Sequence, residues 1–187
     1  MCERTVYLLF TDTGSYLSRA INLYTKKPLN HVSIGFDEEL TELYSFGRKQ
    51  PNNPFIGGFV KEDIRNPFMR YSPCAIYRFQ VSNEDYLSIK KHIRDIENNQ
   101  NIYRYNFIGL FGVMLHIRIN RKSAYFCSQF VATVLQHISS FKFQKPPYFT
   151  TPSDLRELQG IELLYEGTLD DYCGLKKNIE KHSLSIL

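Results

Sequence analysis

Two residues far apart in the chain have the right types to share a proton. Cys127 stands in Tyr125-Phe126-Cys127-Ser128-Gln129-Phe130-Val131-Ala132-Thr133-Val134-Leu135. Apolar residues lie on nearly all sides of that run, which predicts a buried helix over about 123–137 with the cysteine in its first turn. A thiol there feels the partial positive charge of the helix N-terminus, which favours the nucleophilic thiolate. His31 stands at the mouth of the strand-like run His31-Val32-Ser33-Ile34-Gly35-Phe36. Cysteine and histidine on separate elements, joined by folding, are what thiol-dependent acyl transfer requires.

A base of this kind needs a polar partner to fix its tautomer and stabilise the imidazolium. The segment Thr41-Glu42-Leu43-Tyr44-Ser45-Phe46 supplies two candidates, Glu42 and Ser45. Strand faces alternate with period two, so only one of them can face His31. The remaining histidines (His92, His116, His137 and His182) read as solvated or satisfied side chains. Cys2, Cys74 and Cys173 read as structural or incidental thiols. No CxxC pair is present, so the four cysteines suggest neither a disulfide framework nor a zinc site, and no cofactor is implied.

The elements around the pair follow from pattern. Val6–Thr11 predicts a strand, and Asp12-Thr13-Gly14-Ser15 opens a helix over about 16–25 that ends before Pro28. His31–Phe36 and Leu40–Phe46 predict a hairpin joined by Asp37-Glu38-Glu39. Residues 47–72 are rich in Gly, Pro and Asn and read as a long excursion holding one short strand near 59–64. Cys74–Val81 alternates as a strand, and Ser82-Asn83-Glu84-Asp85 is a capping sequence for a helix to about Glu97. Phe107–Leu115 fits either a helix or a buried strand. Thr151-Pro152-Ser153-Asp154 starts another helix, Glu162–Tyr165 a strand, and the charged tail beyond Lys176 is expected to be loosely held.

The chain of 187 residues suits a single α+β domain with a small antiparallel sheet packed on the cysteine-bearing helix. A net charge of +4 does not demand nucleic acid, and the basic run His116–Lys122 reads as a solvated face. No stretch approaches the roughly 20 apolar residues of a membrane span. Val6–Phe10 is too short for a signal-peptide core, so a cytoplasmic location is expected.

Several segments together resemble a known group. His31-Val32-Ser33-Ile34, followed much later by Phe126-Cys127-Ser128-Gln129-Phe130-Val131, resembles the circularly permuted, NlpC-type papain-like cysteine hydrolases, relatives of the lecithin:retinol acyltransferase group. In that branch the histidine precedes the cysteine, as here. Phe10–Ser15 through His31, Tyr105-Asn106-Phe107 and Thr151-Pro152-Ser153-Asp154-Leu155 resemble its entry, Tyr-Asp-Phe and exit segments, so the likeness spans about residues 5–165. It implies a permuted papain-like fold with Cys127 as nucleophile, His31 as base and Tyr105 assisting the Cys127 N–H at the oxyanion. The family's third polar residue, often glutamate, falls on the strand after the histidine. That place holds Ser45, a departure that leaves Glu42 as a rival. The implied reaction is hydrolysis or acyl transfer on a peptide-like amide or, second, a lipid-like ester. The alternative is a catalytically weak or inactive module serving as a binding domain.

Overall fold

The computed structural model describes residues 3–12, 14, 27–50, 53–106, 123–138 and 141–184. The helix expected at 16–25, the segment 107–115 and the basic run at 116–122 lie outside them.

Eight strands form in chain order: β1 (Glu3–Thr11), β2 (His31–Gly35), β3 (Leu43–Gln50), β4 (Asn53–Lys61), β5 (Pro73–Ser82), β6 (Arg104–Tyr105), β7 (Ala124–Tyr125) and β8 (Glu162–Thr168). Six make one antiparallel sheet in the order β4-β3-β2-β1-β5-β8, and β6 and β7 form a short parallel pair. The helices are α1 (Pro67–Arg70), α2 (Asn83–Asn98), α3 (Cys127–Leu135), α4 (Pro152–Arg156) and α5 (Leu169–Leu184). Among the described residues no helix is long and apolar enough to cross a membrane.

Period-two alternation gives the sheet two apolar faces. Val6, Leu8, Phe10, Val32, Ile34, Phe46, Phe59 and Ala75 pack against the apolar stripes of α2 and α3. Leu9, Leu43, Cys74 and Ile76 pack with Leu40, Ile64, Leu169 and Tyr172 on the other side. Phe46 is the hub of the first core, its ring 5.2–6.3 Å from those of Phe59, Tyr103, Tyr125 and Phe130. α2 is capped as its sequence predicts, the Ser82 hydroxyl accepting from the Asp85 N–H. At α4 the Thr151 and Asp154 side chains cap each other's backbone.

The structure departs from the sequence reading in two places. First, much of 47–72 is a hairpin rather than an excursion with one short strand: β3 runs on to Gln50, and β4 occupies Asn53–Lys61. The glycines that suggested a loop serve close approach instead. A Cβ at Gly57 would lie 2.7 Å from the Tyr105 Cβ and 2.9 Å from the Gly47 carbonyl oxygen. Second, the cysteine helix begins at Cys127 rather than near 123, since Ala124–Tyr125 is drawn into pairing with β6 and Phe126 is extended (φ −106°, ψ 169°). The C-terminal segment is helical through Leu184, and buried Leu169 and Tyr172 seat its start. The Tyr172 hydroxyl donates to the Glu38 carbonyl at 2.7 Å.

Candidate active site

Cys127 is the first residue of α3, and Phe126 caps the helix without a side-chain bond. The first N–H groups of a helix have no partner within it, and the Cys127 N–H is one of them. Two contacts pin this end of the helix. The Phe126 carbonyl accepts from the Phe130 N–H at 2.9 Å, and the buried Ser128 hydroxyl donates to the Thr150 carbonyl at 2.7 Å. The thiol donates to the Asn30 carbonyl oxygen at 3.8 Å, and it lies near enough to the His31 ring to help raise that ring's pKa.

The ring's other partner is Glu62. His31 Nε2 is 2.7 Å from Glu62 Oε1, with both side chains largely buried (16 % and 7 % exposed). Nε2 being engaged, Nδ1 is the ring nitrogen left to exchange a proton with sulfur. The Ser45 hydroxyl, fully buried, donates to the same carboxylate oxygen. Ser33 Oγ stands 3.5 Å from Nε2. Burial alone would lower the His31 pKa, but the Glu62 charge and the bonds to Cys127 and Glu62 outweigh it, raising the pKa to about 10. Burial likewise pushes Glu62 up, yet the His31 charge and the bonds from His31, Ser45 and Ser33 prevail and leave it below its ordinary value.

Register explains the assembly. Leu43 and Tyr44 of β3 pair with Gly35 and Ile34 of β2, which puts Ser45 on the same face as Ser33 and His31. Ser45 pairs with Val60, and the Glu62 N–H continues the β3–β4 ladder by donating to the Leu43 carbonyl at 2.8 Å, so Glu62 falls on that face too. Gly47 leaves room there: a Cβ would sit 3.5 Å from His31 Cε1 and 3.8 Å from Glu62 Oε1. α3 packs on the opposite face. The thiol and the imidazole meet because each begins its element, at one rim of the sheet.

The structure thus brings Cys127, His31 and Ser45 together and keeps Glu42 out. Glu42 belongs with Tyr44 on the other face, where it pairs with Lys90 at 2.8 Å and accepts from the Tyr44 hydroxyl. Ser45 does not touch the imidazole directly but braces its carboxylate. Tyr105 pairs in register with Tyr125, two residues before the cysteine, so β6 flanks the chain that leads into Cys127. Glu62 lies in the short strand expected near 59–64 but was missed, because that strand was given no pairing partner or register. Its only signal was the alternation Val60-Lys61-Glu62, which carries meaning once β4 is known to pair with β3. Cys74, by contrast, is sealed in the second core, where burial pushes its thiol up to about 12. Among the described residues no cluster of three His, Cys, Asp or Glu side chains is placed to hold a metal ion. No protein family, curated protein or solved structure matches this chain.

Proposed function

We propose that the protein is a cysteine hydrolase of the permuted, NlpC-type papain-like kind, cleaving a peptide-like amide or, second, an ester. The observation that carries this reading is the buried His31–Glu62 pair at 2.7 Å, braced by Ser45, with the Cys127 thiol beside the ring. Nucleophile, base and orienting carboxylate stand in the order that acyl transfer uses.

The Cys127 thiolate, with His31 as imidazolium, attacks the substrate carbonyl carbon and forms a carbon–sulfur bond. The carbonyl oxygen takes the displaced electron pair and is held by the Cys127 N–H, with Tyr105 assisting. Collapse breaks the bond to the leaving nitrogen or oxygen, which takes the His31 proton. An acyl-thioester remains. His31, now neutral, removes a proton from water, and the resulting hydroxide attacks the thioester, releasing the acid and the thiolate. Glu62 stabilises the imidazolium in both halves of the cycle.

The rival reading, an inactive binding module, drew its force from a serine standing where a carboxylate was expected. Glu62 supplies that carboxylate from one strand further along. A cytoplasmic site of action accords with thiols at Cys74, Cys127 and Cys173 that are all free. The test is trapping. Activated acyl esters such as p-nitrophenyl acetate are expected to leave an acyl mass adduct on Cys127 that decays in water, with none on a Cys127→Ser variant. Acylation that is absent, or spread evenly over Cys127 and Cys173, counts against the reading.

A further inference from the structure

Arg156 has an unusual setting for a half-buried cation. Its guanidinium stacks over the rings of Phe10 and Tyr77, 6.0 and 5.7 Å from their centroids. Both Nε and Nη2 donate to the Tyr77 hydroxyl at 3.3 Å. Among the described residues it has no carboxylate partner. A neutral hydroxyl and two rings hold the planar fork in place without using its charge, while desolvated arginine is ordinarily paired.

Arg156 lines a cavity of about 270 Å³ with Lys27, Pro28, Tyr77, Ser153 and Glu157. Lys27 and Glu157 face each other at 3.6 Å, both well exposed, and largely cancel, leaving the arginine as the uncompensated charge among the described residues of the cavity. Two links tie this cavity to the nucleophile. Pro28 lies two residues from Asn30, whose carbonyl contacts the Cys127 sulfur, a reach of at most about 7 Å of chain. On the other side, the Ser128 hydroxyl holds Thr150, which leads directly into the α4 turn carrying Ser153 and Arg156.

We propose that Arg156 is an anion-recognition residue beside the catalytic centre, and that it selects substrates carrying a free carboxylate close to the scissile amide. This rests on the cysteine-hydrolase reading for the identity of the bond cleaved, but not for the binding itself. A bidentate guanidinium matches a carboxylate. The small cavity has room for one such group, and among the described residues its cations are Lys27 and Arg156, with no denser cluster for a phosphate.

The experiment measures binding without turnover, in Cys127→Ala protein, so it stands or falls separately from the chemistry. An N-acetyl dipeptide with a free C-terminal carboxylate and its C-terminal carboxamide are titrated by calorimetry. The carboxylate form is expected to bind about tenfold tighter or better, as a charge-assisted bond implies. Arg156→Gln is expected to equalise the two. Tyr77→Phe, which frees the guanidinium but keeps its charge, is expected to narrow the difference. Equal affinities in the parent protein, no binding of the carboxylate form, or a preference that survives Arg156→Gln would overturn the proposal. Glycerol 3-phosphate binding more tightly than the carboxylate would overturn the carboxylate assignment.

Discussion

His31 is held by partners on two sides, and its protonation follows from which one is removed. Glu62 keeps the imidazolium charged far above the ordinary histidine range near 6.5. In a Glu62→Gln variant the attraction is gone and the desolvation penalty stays, so the His31 titration followed by NMR is expected to fall from about 10 to the ordinary value or below. A midpoint unmoved by the substitution would mean that Glu62 does not set the charge. Ser45 acts one bond further out, through the carboxylate alone, and Ser45→Ala is expected to move the same titration in the same direction but less. Glu42 provides the control, since its charge is spent on Lys90.

At the scale of elements, the placement of the nucleophile depends on a crowded junction. β6 and β7 fix the chain that enters α3, and β4 presses on β6 at Gly57 with no space for a methyl group. Gly57→Ala drives a Cβ into backbone and into Tyr105, and overpacking of this kind costs about 1–3 kcal/mol. The expected outcome is a lower melting temperature together with slower Cys127 alkylation, because the strain is delivered to the strand pair beside the thiol. Unchanged alkylation in a destabilised variant would uncouple β6 from the site. The same junction shows what could be read from sequence. The capped start of α2, the β2–β3 hairpin and the apolar run after Cys127 all carry local signals, a capping side chain or a period, and each could be placed. Only the end of β4 could be placed, near 59–64; its start could not, because its glycines are demanded by neighbours distant in the chain, and glycine in isolation reads as loop. Glu62 sits in the part that was read, but nothing local says that this strand pairs with β3 and turns Glu62 toward His31. An orienting carboxylate is recognisable only when the pairing of its strand is.

For the molecule as a whole, the buried His31–Glu62 pair links stability to pH. His31 is raised on folding, so its contribution is fully present below its unfolded value near 6.5 and is lost as pH climbs through about 10. Glu62 is lowered, so its contribution is present above the unfolded carboxylate value near 4.3 and is lost as pH falls through its folded one. The melting-temperature difference between the native chain and Glu62→Gln is therefore expected to be widest from roughly pH 5 to 6.5, narrowing on both sides. A difference independent of pH would show that the variant acts through packing alone. Both layers of the sheet take part in this arrangement. The α2–α3 side presents the sulfur, and the opposite side holds the carboxylate.

The most direct test of that arrangement is the rate of Cys127 carbamidomethylation by iodoacetamide at pH 6, compared with His31→Ala and with Cys173 as internal reference. An ordinary thiol with a pKa near 8.5 is less than about 1 % ionised there. The sulfur–imidazole–carboxylate line is expected to make Cys127 react at least about tenfold faster than Cys173 and to lose that advantage in His31→Ala. A Cys127 rate that matches the reference and does not change when His31 is removed would contradict the account.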